Sequence, residues 1–139
     1  MRAAIFSVFV FTACAGGSQP RVATGPLVSD QEVRAVVRRA MELDAAGQPA
    51  DSLYQVGATI VVNGRPRLSP PRYAGVGRGG VVAIQNISIE LSLPLAWGVV
   101  RYGWAGRDGS GVEVGEATFV LERGAQGWQI VHAHSSLPR

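Results

Sequence analysis

One stretch of helix-forming sequence is followed by strand-forming sequence alone, and that one-way order limits the folds open to this chain. Ser29-Asp30-Gln31-Glu32 reads as a capping box, in which the Ser29 hydroxyl and the Glu32 carboxylate satisfy backbone donors at the start of a helix. Val33, Val36, Val37, Ala40 and Met41 then recur at helical spacing, with Arg34, Arg38, Arg39 and Glu42 on the opposite side. The helix is predicted to stop near Ala46, because Gly47 suits a left-handed cap and Pro49 cannot continue the hydrogen-bond ladder. A second, shorter turn is expected from Pro49 or Ala50 to Tyr54.

Beyond Tyr54 the pattern changes period. Residues 55–62 are rich in β-branched side chains, and Asn63-Gly64 is a strong hairpin signal that returns the chain through 65–68. Ser69-Pro70-Pro71-Arg72-Tyr73-Ala74 is expected to form a short helical turn. Long strands are expected over 81–93, 96–105, 112–123 and 128–136, parted by Pro94 and by Gly106-Arg107-Asp108-Gly109-Ser110-Gly111. Helices first and antiparallel strands afterwards make an α+β domain with segregated elements. A strongly curved mixed or antiparallel sheet packed on the helices would leave a cone open at one end. Ile87, Ile89, Leu91 and Leu93 form an apolar face opposite Ser88, Glu90 and Ser92. In the next strand Trp97, Val99, Arg101 and Gly103 share one face and Ala96, Gly98, Val100, Tyr102 and Trp104 the other, and the pattern does not decide which is inward.

The closing stretch, Gly127-Trp128-Gln129-Ile130-Val131-His132-Ala133-His134-Ser135-Ser136, holds both histidines of the chain. Strict alternation would put Trp128, Ile130, His132, His134 and Ser136 on one face. This stretch resembles the last strand of the SnoaL-like (DUF4440-type) branch of the nuclear transport factor 2 (NTF2)-like superfamily, and the resemblance extends over residues 28–136. Residues 45–54 are similar to that family's link between its long and short helices. The resemblance implies a cone-shaped α+β fold, a pocket within it and a homodimer formed through the outer sheet face. Three roles follow as expectations: binding of a small ligand or partner protein, a pocket enzyme of isomerase, cyclase or hydrolase type using a histidine, or a non-catalytic oligomerisation module.

The other end of the chain bears on location. Met1-Arg2, the apolar run 3–10 and Phe11-Thr12-Ala13-Cys14 resemble a bacterial lipoprotein signal with Phe where Leu is usual. The run is too short to span a bilayer as a helix, which takes about 20 residues. The expected organisation is therefore a signal peptide at 1–13, a flexible tether at 14–27 that starts on a lipidated Cys14, and one domain at 28–139. That places the domain in the cell envelope, on the periplasmic face of the outer membrane if the cell has one. Cys14 is the single cysteine, so no internal disulfide can form. Thirteen basic residues, all arginine, stand against ten acidic ones, and a net charge of +3 is too weak to argue for nucleic acid.

His132 and His134, about 7 Å apart along a strand, could converge on one ligand. A metal would need at least a third ligand, and with no other histidine only Glu116 or Glu122 could supply it. No metal and no cofactor is therefore expected. Superfamily enzymes place acids in the pocket, whereas this chain has no Asp or Glu between Asp51 and Glu90, and Gln55-Val56-Gly57-Ala58 stands where many relatives start the first hairpin with an acid. His132 or His134 remains as a weak candidate base, with Arg101 or Tyr54 to stabilise an anion. The expected pocket is lined by Tyr54, Trp97, Arg101, Trp128, His132 and His134. Arg65, Arg67, Arg72 and Arg78 are expected on a solvated surface, with anionic lipid headgroups or a phosphorylated ligand as the functional alternative. Gly75-Val76-Gly77-Arg78-Gly79-Gly80 matches a dinucleotide motif in form only, because a strand follows it rather than a helix.

Overall fold

The computed structural model describes residues 29–109 and 111–138. The expected signal peptide, the expected tether and Cys14 lie outside the described residues. Helix α1 (Asp30–Ala46) comes first, then one 3-10 turn (Asp51–Leu53) and six strands: β1 (Tyr54–Val62), β2 (Arg65–Pro66), β3 (Val81–Ser92), β4 (Leu95–Ala105), β5 (Glu113–Gly124) and β6 (Gly127–Ser136). The strands form one mixed sheet in the order β2-β1-β6-β5-β4-β3. Only β1 and β6 run parallel; the other neighbours are antiparallel.

Helix α1 buries Val33, Val37, Ala40, Met41 and Ala45 against the sheet. Complete burial of each valine or methionine stabilises the fold by about 1.5–3 kcal/mol. The helix ends at Gly47 in the left-handed region (φ 70), and the Gly47 and Gln48 N–H groups donate to Asp44 and Leu43 carbonyls at 3.1 and 2.8 Å. Those two bonds satisfy carbonyls that the last turn leaves free. The start of the helix departs from expectation: Ser29 is the N-cap, but its side chain makes no capping hydrogen bond, and Glu32 lies instead within 4.0 Å of Arg123 Nη2.

The Asn63-Gly64 hairpin forms with both residues at positive φ (48 and 75), the requirement of a type I′ turn. Its return strand is shorter than expected, two residues rather than four. No helical turn forms over 69–74. Two consecutive prolines there supply no backbone N–H and hold their predecessors in extended conformation, which opposes helix. The 66–80 segment is fastened to the sheet by side chains instead. Tyr102 donates its hydroxyl to the Ala74 carbonyl at 2.7 Å, and the Ala74 N–H donates to Ser135 Oγ at 2.9 Å.

In β4 the inward face is Ala96, Gly98, Val100 and Tyr102, and it meets Ile87 and Ile89 of β3 and Ala117, Phe119 and Leu121 of β5. The other face of the sheet points away from the helix. Across it Glu90, Trp97, Val120, His132 and Thr59 form one row over five strands, and Ser88, Val99, Thr118, His134 and Val61 form the next.

Candidate functional site

Bulges in β6 and β1 decide which side chains reach the interior. In β6 the register jumps from Val120↔His132 to Leu121↔Ile130, so Val131 is an extra residue on that strand. An inserted residue reverses the alternation beyond it. Trp128 and Ile130 therefore point inward together with Ala133 and Ser135, while His132 is half-buried on the outer face and His134 is exposed there. The expected common face of Trp128, Ile130, His132, His134 and Ser136 is corrected accordingly.

The six residues expected to line one pocket are distributed over separate parts of the molecule. Arg101 and Trp97 are exposed on the outer face, beside Glu116 and Val120 in register. Trp97 borders a groove of about 370 Å³ with Ser88, Glu90 and Val99. His134 borders a different hollow with Asn63, Gly64 and Leu137. Trp128 is buried, but it faces a cavity walled by Glu32, Arg123 and Gln129 rather than the one that Tyr54 faces. Among the described residues no group of three or more His, Cys, Asp or Glu side chains converges as a metal would require.

Tyr54 alone enters a polar cluster inside the cone, and its partners are residues outside the expected set. Asp44, on the inward stripe of α1, is completely buried at the helix C-terminal turn. Its Oδ2 accepts the Arg72 backbone N–H at 2.5 Å, and its Oδ1 stands 3.7 Å from Arg72 Nη1. Arg72, whose side chain is 7% exposed, also donates through Nη2 to Asp51 Oδ1, and Asp51 is 80% exposed. The guanidinium carbon lies 4.7 Å from the centre of the Tyr54 ring, a cation–π contact. The Tyr54 hydroxyl is hydrogen-bonded to the Tyr73 hydroxyl, and Tyr73 packs on Phe119 with ring centroids 5.6 Å apart. Arg72 is thus corrected from a solvated surface position to a buried one. Arg72 Nε and Nη1 and Asp44 Oδ1 have no hydrogen-bond partner among the described residues.

Burial governs the titration of this cluster. It raises the Asp44 pKa above 3.8, against the Arg72 backbone N–H and the charges of Arg72, Arg67 and Arg78, all of which favour the carboxylate. Burial also pushes Tyr54 up to about 12 and Tyr73 well above the ordinary phenol value. Both phenols are therefore neutral donors at physiological pH. Because their shared bond consumes one hydroxyl proton, the pair retains one proton to offer elsewhere.

The bulge in β1 opens this cluster to the outside. Tyr54 pairs with Ile130 and Thr59 with His132, so five steps along β1 match two along β6 and residues 55–58 loop outward. Gly57 at φ 86 supplies the left-handed conformation within that loop. Between the bulge and the 66–72 segment lies a cavity of about 240 Å³, walled by Tyr54, Ile60, Arg72 and Asp51 with Arg67 and Leu68 at its rim. Asp51 is the one acid in that wall, and it is engaged by Arg72. The arrangement can donate hydrogen bonds and positive charge to a bound molecule, but it presents no free base to remove a proton.

One helix on a curved mixed sheet, with a polar cluster in its hollow, defines a cone-type α+β protein. Solved structures share this architecture. The chain is similar to an NTF2-like superfamily protein from Salmonella enterica serovar Typhimurium, at 18% identity over 79% of this chain and 91% of that one, with a TM-score of 0.63. It is also similar to a candidate ketosteroid isomerase from Shewanella frigidimarina (20% identity, 77% and 96% coverage, TM-score 0.62). A third similar structure is an NTF2-like protein with a cystatin-like fold from Novosphingobium aromaticivorans (15% identity, 77% and 80% coverage, TM-score 0.58). The chain has the NTF2-like fold. No protein-family model matches it, and no curated protein does.

Proposed function

We propose that this is a SnoaL-like domain that binds a small ligand in the cavity beneath the β1 bulge. The observation that carries this reading is the Asp44–Arg72–Tyr54–Tyr73 cluster in and behind the cavity wall. A buried guanidinium with nitrogens left unbonded is costly in a core made only for stability. Convergent polar groups beside a hollow are what ligand recognition requires. The domain acts as a binder rather than an enzyme, because the cavity offers phenol and guanidinium donors without an available base. Cys14 carries a lipid that tethers the domain to the cell envelope, and the outer sheet face, with Trp97, Val99 and Val120 at its centre, pairs two copies into a homodimer.

The pocket is tested by amide NMR of the protein against a fragment library. Binding should shift residues 55–58 and 66–72 together. Fragments that shift only the outer row at Trp97 and Val99 would remove the pocket from the protein's function.

A further inference from the structure

We infer that the occupant of this cavity is a small amphipathic monocarboxylate, its acid held toward Arg72 and Arg67 and its apolar body laid over Val56 and Leu68. The inference rests on the ligand-binding reading above and gives that ligand a chemical class. Three features of the same opening carry it.

The first is charge. Two guanidiniums, those of Arg67 and Arg72, line the opening, and one carboxylate, that of Asp51, stands among them. One positive charge is left over among these lining groups, and burial favours the neutral form of Asp44 behind them. Asp51 is largely in solvent, where its charge is screened, so it neutralises Arg72 less than its distance alone suggests. A monoanion completes this balance, whereas a phosphate monoester would bring about −1.5 to −2 charges and overshoot it.

The second is the rim. Val56 at the crest of the bulge is 102% exposed and Leu68 is 94% exposed, each on its own side of the opening. Single exposed apolar residues are ordinary. Two that flank the mouth of a cavity whose wall carries a buried guanidinium are an apolar lip beside a charged seat.

The third is size. About 240 Å³ corresponds to roughly eight waters at about 30 Å³ each, below the about 300–1,000 Å³ of pockets that enclose a drug-sized molecule. A carboxyl group and a few carbons fit inside, and the remainder of the chain extends across the lip. The Tyr54 side chain forms part of the wall, its hydroxyl neutral and shared with Tyr73.

The probes are sodium octanoate, octanamide and sodium acetate, titrated into the domain with amide shifts at 55–58 and 66–72 as readout. Octanoate should bind at least tenfold more tightly than octanamide, which lacks the charge. It should also exceed acetate at least tenfold, since each buried methylene contributes about fourfold. Arg67→Gln and Leu68→Ser, both at exposed positions that leave folding intact, should each weaken octanoate about threefold or more. Octanamide binding as tightly as octanoate would overturn the acid, and acetate matching octanoate would overturn the apolar body. If none of the three binds while a library fragment occupies the cavity, the ligand class is wrong and the pocket stands. If nothing occupies it, both readings fall.

Discussion

Replacing Arg72 by Met should destabilise the protein by an amount that grows with pH. Arg72 and Asp44 are both buried, and removal of one partner of a buried pair costs about 3–5 kcal/mol, because the other charge is left without compensation. That is a large share of the about 5–15 kcal/mol that a domain of this kind has in total. The uncompensated partner here can discharge itself. Asp44 already has a pKa raised above 3.8 by burial, and Arg72 is one of the charges that holds it down. Without the guanidinium the folded-state value rises further. A carboxyl whose folded pKa is raised contributes its full stability below the unfolded value of about 3.9 and loses it as pH rises through the folded value. Wild type loses this contribution first, over a window that begins near 3.9, and the variant goes on losing it to higher pH. The difference between them therefore opens as pH climbs from the wild-type to the variant folded pKa, by at most about 1.4 kcal/mol per pH unit. Urea unfolding at pH 4 and pH 8, followed by tryptophan fluorescence, measures it. Met leaves the backbone N–H that Asp44 accepts in place, so the loss reports the side-chain charge. Asp44→Asn keeps the acceptor and removes the charge, so between Asp44→Asn and the double variant Asp44→Asn with Arg72→Met the pH dependence of the difference should disappear. An Arg72→Met loss that is equal at both pH values, or smaller than about 1 kcal/mol, would refute the buried-charge account.

Gly80→Ala should lower the melting temperature, because a Cβ there would sit 2.3 Å from Trp104 Nε1 and 2.4 Å from the Ala105 carbonyl oxygen. Overpacking of this kind costs about 1–3 kcal/mol, and each kcal/mol is worth roughly 4–8 °C in a domain of this size; an unchanged melting curve would show that the glycine loop does not rest on Trp104. Trp97→Lys should shift sedimentation from dimer toward monomer with the fold intact, whereas a monomeric wild type would end the homodimer proposal. Cys14→Ser should release the protein from the membrane fraction, and an unchanged distribution would end the lipid-anchor proposal.

How much of this was legible in the sequence depends on whether a feature is local or set by register. The helix, its Gly47 stop and the Asn63-Gly64 hairpin follow from capping and turn chemistry within a few residues, and the structure reproduces them. That Trp97 and Arg101 share one face of β4, and His132 and His134 one face of β6, was also legible, but not that both faces turn away from the helix. On β4 the alternation suits either side, and on β6 Val131 is the reason: one inserted residue exchanges inside for outside, and nothing in Ile130-Val131-His132 announces a bulge. The interior cluster was missed for a different reason. Asp44 falls in phase with Val33, Val37, Ala40 and Met41, so an acid on the buried stripe was there to be noticed, three residues beyond the last apolar position. Its partner Arg72 lies 28 residues away in an irregular segment whose path is set by the Tyr102, Ser135 and Asp44 contacts themselves. Local pattern can expose an unpaired buried charge, whereas its counter-charge emerges only once the loop is folded against it. A charged residue in phase with an apolar helix stripe, followed by an arginine in a proline-rich loop, is accordingly the signal to look for when the acids of a cone-shaped pocket appear to be missing from its first hairpin.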